Sequence, residues 1–271
     1  MTNFPAPNKS LGQHFLRDQT VIKKITEDFK GKSDTLLEIG PGPGILTKLL
    51  AKQGLPYHVI EKDMRFPELL KEFMPEENIH LLDALKCDYQ DFFNELGWLD
   101  KKVWLISNLP YNVGSPIFVK ALQVPAIKMM TLMFQREVAD KVIAIDTRKG
   151  KSMNSLMALS QTYFNVSLLC KVPPGAFSPP PKVDSAVISL ERIEEPAIDL
   201  SEFKRFESFL RGIFQFKRKQ LGKVLSGVTS KEIASQTLEK LGLERNIRAE
   251  SLELEVLQKI YLTSQEIKNG H

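Results

Sequence analysis

The tetrapeptide Asn108-Leu109-Pro110-Tyr111, directly after the apolar run VWLIS (103–107), has the residue types to act on the exocyclic amine of an adenine. That amine is a poor nucleophile because its lone pair is delocalised into the ring. Two acceptors, the Asn108 side-chain carbonyl and the Leu109 backbone carbonyl, can take its two N–H groups. They would localise the lone pair and aim it at a sulfonium methyl. Pro110 fixes the turn, and Tyr111 offers a face on which an extruded base can stack. Methyl transfer from a sulfonium needs no strong base, since positioning supplies most of the catalysis. The lack of a nearby catalytic His or Cys is therefore no objection. A bare N-x-P-Y also reads as a strand-end turn with a buried tyrosine.

A donor site is written into LLEIGPGPGILT, where the glycines Gly40, Gly42 and Gly44 lie between an apolar run and an amphipathic one. Glycines let the chain turn sharply and approach a ligand closely, and the following helix start offers free N–H groups. The spacing is G-x-G-x-G and not the G-x-G-x-x-G of a pyrophosphate-binding dinucleotide fold, which disfavours a dehydrogenase. Glu61 ends the next apolar run in VIEKD, where a carboxylate can accept both ribose hydroxyls of a nucleoside. Asp83 follows a third run in LLDAL, where a carboxylate can accept from an adenine amino group. Each acid alone reads as a solvated strand end or a helix cap. Together with the glycine turn, at the ends of three successive strands, they make one nucleoside-type site.

The elements that position these residues are legible as alternating runs. TLLEIG (35–40), YHVIE (57–61), NIHLL (78–82), VWLIS (103–107) and MTLMF (130–134) read as strands. ILTKLLAKQG (45–54) reads as a helix with a glycine stop, and another helix is expected from near Asp63. Such alternation predicts an α/β fold with a mostly parallel sheet covered on both faces. Pro173, Pro174, Pro179, Pro180 and Pro181 interrupt regular structure before a last alternating strand, VDSAVISL. RIEEPAID (192–199) reads as a linker, and residues 200–271 as short amphipathic helices. The expected domains are 1–192 and a small all-helical 198–271.

Between Lys204 and Lys223 the chain carries Lys204, Arg205, Arg211, Lys217, Arg218, Lys219 and Lys223 against the single acid Glu207, while the whole chain is only +4. Phe203, Phe206, Phe209, Phe214 and Phe216 interleave with them and read as core of the small domain. The basic cluster, with Lys217, Arg218 and Lys219 at its centre, reads as a phosphate-contacting surface for RNA, against the alternative of a solvated face.

In order, NKSLGQHFL (8–16), EIGPGPG, VIEKD, NLPY and PPGAFSPPPKVDS make the chain similar to the KsgA-type family of small-subunit (16S) rRNA adenine N6,N6-dimethyltransferases. The likeness spans residues 8–190 and continues weakly beyond, through a segment containing FQFKRKQL. It implies a class I S-adenosylmethionine-dependent methyltransferase, Rossmann-like, with a small C-terminal helical domain. It implies S-adenosylmethionine as cofactor, and as substrate two adjacent adenosines in the 3′-terminal hairpin of small-subunit rRNA within a partly assembled subunit. By the same resemblance His14 and Leu16 belong to a segment covering the cofactor, and Gly40, Glu61, Asp83 and Asn108 are its further contacts. Phe177 would clamp the target base opposite Tyr111, although on its own it reads as a core aromatic. Position 14 is histidine where many members have asparagine.

Composition sets further expectations. With 42% apolar and 26% charged residues the chain is ordinary for a soluble protein. Cys87 and Cys170, and His14, His58, His80 and His271, show no metal-ligand spacing, so no metal site is expected and both cysteines read as buried. Neither a signal peptide nor a membrane span is written in the sequence, so a cytoplasmic monomer is expected. The rivals are a 23S rRNA adenine methyltransferase conferring macrolide resistance, a DNA adenine methyltransferase, and a non-catalytic nucleic-acid-binding derivative such as a mitochondrial transcription factor. GAFSPPPKVDS and the basic helical region favour the small-subunit enzyme. Absence of a target-recognition insertion disfavours the DNA enzyme. Intact Glu61, Asp83 and NLPY, without a transit peptide, disfavour lost catalysis.

Overall fold

The computed structural model describes residues 5–8, 12–143, 152–216 and 219–270. Two of the three central basic residues, Lys217 and Arg218, lie outside them, as do Lys9, Ser10 and Leu11. The chain divides into two compact units, residues 1–140 with 165–192, and residues 141–164 with 193–271.

The first unit holds β1 (Phe15–Leu16), α1 (Gln19–Glu27), β2 (Thr35–Ile39), α2 (Thr47–Leu50), β3 (Tyr57–Glu61), α3 (Pro67–Leu70), β4 (Ile79–Leu81), α4 (Tyr89–Glu95), β5 (Val103–Asn108), α5 (Gly114–Leu122), β6 (Ile127–Gln135) and most of α6 (Arg136–Val142). After helix α7 (Ser155–Tyr163), which belongs to the second unit, it resumes with β7 (Phe164–Val172), β8 (Phe177–Ser178) and β9 (Ser185–Arg192).

Seven strands form one sheet in the order β4-β3-β2-β5-β6-β9-β7. The β4-β3, β3-β2, β2-β5 and β5-β6 pairings are parallel, and β9 runs antiparallel to β6. Every residue of β2 is buried, as a parallel strand covered on both faces must be. Helix α1 starts where Asp18 accepts the N–H groups of Thr20 and Val21, and it buries Val21, Ile22 and Ile25. The mostly parallel α/β expectation holds.

Three local expectations change. The helix expected from near Asp63 starts only at Pro67, since a proline fits the first turn of a helix and not its interior. Strand β7 has no clear signal in the sequence: at the sheet margin seven of its nine residues are half-buried or exposed, so its alternation is weak. The cysteines are half-buried instead of enclosed, although burial still pushes both thiols up, Cys87 to about 11.

The second unit combines α7 with α8 (Phe203–Phe214), α9 (Leu221–Val228), α10 (Lys231–Lys240) and α11 (Leu254–Asn269). Phe203, Phe206, Phe209, Leu210 and Ile213 form the buried face of α8, and Tyr261 of α11 packs edge-on to Phe206 with centroids 5.0 Å apart. Each buried phenylalanine stabilises by about 2–3 kcal/mol, which outweighs any use of these rings on a surface. Phe214 is half-buried, but Phe216 is 46% exposed, with the Lys219 ammonium 3.8 Å from its ring centre. Lys204, Arg205, Arg211, Lys219 and Lys223 are all exposed.

Candidate active site

One cavity opens at the carboxyl ends of β2, β3, β4 and β5, where sheets of this topology bind ligands. The glycine turn follows β2. Gly40 and Gly42 have φ of 67° and 56°, conformations open to glycine at little cost. A side chain at Gly42 would also meet the Phe15 ring, 3.6 Å from its Cβ position.

Glu61 ends β3 inside the cavity, 5% exposed. It accepts from the Gly42 N–H at 2.9 Å and from the Lys62 and Asp63 N–H groups at 2.8 and 2.7 Å. Burial raises its pKa and those three N–H groups oppose the rise. Asp83, after β4, accepts from the Leu85 N–H at 3.0 Å and from the Lys62 ammonium at 2.8 Å, and the ammonium holds its carboxyl below the usual range. Two carboxylates on one rim suit the hydroxyl and amino donors of a nucleoside. Ile39, Ile60, Leu82, Ala84 and Ile117 supply apolar walls for its base.

The Asn108-Leu109-Pro110-Tyr111 turn leaves β5 on the opposite side of the same cavity. The Ser107 hydroxyl donates to the Ile39 carbonyl at 2.6 Å, fixing the end of β5 to that of β2. The Asn108 amide donates to the His14 carbonyl at 3.1 Å, a bond made by Nδ2 that does not use the Oδ1 acceptor. Tyr111 is held at its hydroxyl by Ser185 at 2.7 Å.

His14 and Leu16, before and in β1, both line the cavity. Phe177 is not among the residues that line the cavity. Phe177 is fully buried, pairs with Leu16 in the β1–β8 ladder, and belongs to the apolar core with Leu16, Ile22 and Val187, outside the cavity. The β1–β8 pairing turns this ring inward, and the ring stacked against Tyr111 is that of His14, with centroids 5.4 Å apart.

Sequence reasoning missed Gln13, Glu38, Asp63 and Arg65. Glu38 lies in the cavity wall, where the Thr47 hydroxyl donates to it at 2.7 Å and the Tyr57 hydroxyl also donates. Burial pushes its carboxyl up to about 7. An acid inside the apolar run TLLEI was the available signal. Asp63 closes VIEKD and Arg65 follows two residues later, but the bond from Gln13 to Asp63 spans 50 positions and leaves no local trace.

A sequence model described as ribosomal RNA adenine dimethylase matches residues 6–265. The chain belongs to this family. Among its relatives, "Ribosomal RNA small subunit methyltransferase A" of Clostridium botulinum (strain Langeland) is 38% identical over 259 residues, covering 93% of this chain and 92% of the relative. The protein of the same description from Clostridium perfringens (strain SM101) is 38% identical over 253 residues, covering 91% and 87%. A dimethyladenosine transferase from Plasmodium falciparum superposes with a TM-score of 0.75 at 25% identity, over 95% of this chain and 98% of that one. The 23S rRNA methyltransferase ErmE gives 0.68 at 25%, over 93% and 99%. The fold is that of a class I S-adenosylmethionine-dependent methyltransferase. As a dimethylase, the protein is an rRNA adenine methyltransferase that draws on S-adenosylmethionine. Among the described residues no helix is long and apolar enough to cross a membrane.

Proposed function

We propose that this enzyme dimethylates the N6 amines of two adjacent adenosines in the 3′-terminal hairpin of 16S rRNA, in a partly assembled small subunit. The observation that carries the chemistry is the shared cavity of Glu61, Asp83 and the Asn108–Tyr111 turn. S-adenosylmethionine, when bound, supplies an electrophilic methyl group. Glu61 takes the ribose hydroxyls, Asp83 the adenine amine, and Gly40, Gly42, His14 and Leu16 close around the cofactor. The Asn108 Oδ1 and the Leu109 carbonyl accept from the target amine and hold its lone pair in line. Pro110 keeps the turn rigid, and Tyr111 supports the extruded base from one face.

The small-subunit assignment is supported by the relatives, 38% identical and described as small-subunit methyltransferases, against 25% for ErmE. The exposed basic residues of α8, with Lys219 and its neighbours Lys217 and Arg218, would meet RNA phosphates. The test offers the enzyme undermethylated small subunits and, separately, large subunits. N6,N6-dimethyladenosine is expected in the 16S rRNA alone. Reversing Lys217, Arg218 and Lys219 to glutamate should weaken small-subunit binding and flatten its salt dependence, by about 0.7–0.9 in log–log slope per lost phosphate contact. Product in 23S rRNA would contradict the substrate. An unchanged slope would make the basic cluster a solvated face.

A further inference from the structure

The chain leading into β1 is tied to both sides of the cavity. On the glycine-loop side stands Asp63, only 7% exposed. Arg65 reaches it through Nε at 2.9 Å and Nη2 at 2.6 Å, and the Gln13 side-chain amide donates to it at 2.8 Å. Gln13 Oε1 accepts from the same guanidinium at 3.2 Å and from the Asn8 N–H at 2.8 Å. The remaining Arg65 nitrogen, Nη1, donates to the Ala6 carbonyl at 2.8 Å. Gln13 therefore complements both members of an ion pair at once, as donor to the carboxylate and acceptor from the guanidinium. A buried carboxylate keeps such partners because losing one is costly.

The next residue touches the catalytic turn. The His14 carbonyl accepts from Asn108 Nδ2, and the His14 ring lies on Tyr111. Gly12 comes close as well: a side chain there would stand 3.5 Å from the Tyr111 backbone nitrogen. The Asp63–Arg65 pair and the direction of the Asn108 amide are thus joined through two consecutive residues.

We propose that Gln13, clipped into the Asp63–Arg65 pair, is a positioning residue that holds this segment over the bound cofactor and, through the His14 carbonyl, fixes the Asn108 amide with Oδ1 toward the target amine. The inference rests on reading the cavity as the S-adenosylmethionine site. Releasing Gln13 frees the cofactor to leave and the amide to rotate, and neither effect requires any loss of fold.

Q13E sets a carboxylate against Asp63 and replaces the donor bond with repulsion. The readouts are release of radiolabelled S-adenosylmethionine in a chase, and kcat and KM for methyl transfer to small subunits. Q13E should release cofactor about tenfold faster, the loss of one hydrogen bond to a charged group. Its kcat should fall at saturating cofactor while KM for the RNA holds. R65K, which keeps the charge without the two-point contact, should also speed release and serves if Q13E does not fold. Release and kcat at wild-type values in Q13E would overturn the clip. A wild-type protein that retains no cofactor overturns the cavity reading itself, and the clip with it.

Discussion

Glu61 has both carboxylate oxygens engaged by backbone N–H groups, one on the glycine turn and one on the chain just after β3. It thereby joins two loops of the cavity while keeping acceptor capacity on Oε2 for a ligand. Glu38 is the contrasting case: buried among the Thr47 and Tyr57 hydroxyls, its carboxyl is pushed up to about 7 and it serves the wall of the site. Glu61→Ala should weaken S-adenosylmethionine binding by about 1–3 kcal/mol, the range for losing hydrogen bonds to a charged acceptor. Isothermal titration measures it. Wild-type affinity in a variant that keeps its near-ultraviolet circular dichroism would remove Glu61 from the cofactor site.

At the scale of elements, β3 and β4 lie in parallel register and bring His58 Nδ1 within 2.8 Å of His80 Nε2. The rings also meet Trp98 and Phe92 edge-on, at 5.0 and 4.8 Å. Burial, and then the neighbouring imidazole, lower His58 to about 4, although Glu77 works in the other direction. His80 is lowered by burial too, with Glu95 opposing. An unfolded chain titrates its histidines near 6.5, so between about 4 and 6.5 it binds more protons than the native state. The stability is whole above about pH 6.5 and declines as pH falls toward 4. Urea unfolding at pH 7 and pH 5 should show a smaller acid loss for His58→Phe than for the wild type. Equal losses would contradict a proton-sensitive pair. The pair also marks a limit of sequence reading, since 22 residues separate the two histidines and only strand register joins them. Strands β2, β3 and β5 are legible because burial on both faces makes them largely apolar runs, and the carboxyl ends of β3, β4 and β5 bring Glu61, Asp83 and Asn108 to the cavity. Phe177 reads as a core aromatic from its own chemistry, and the β1–β8 pairing sets it in the core. The Gln13, Asp63 and Arg65 network needs two distant segments in one place, which no local pattern encodes.

For the whole molecule, charge is the property the average hides. The chain carries +4 in total, whereas residues 204–223 carry seven basic side chains and one acid. One unit holds the cavity and the other holds that basic stretch, so cofactor affinity and salt-dependent RNA binding should respond to separate sets of substitutions. The central claim concerns the chemistry, that the Asn108–Tyr111 turn activates adenine N6 for methyl transfer. Its most direct test is a single-turnover reaction with saturating S-adenosylmethionine and undermethylated small subunits, the product nucleosides being identified by mass spectrometry. The wild type should yield N6,N6-dimethyladenosine, and Asn108→Ala should form product on the order of a hundredfold more slowly while still binding the subunit, as loss of a hydrogen bond used in the transition state requires. Transfer by Asn108→Ala at the wild-type rate, or a methylated product other than N6-methylated adenosine, would contradict it.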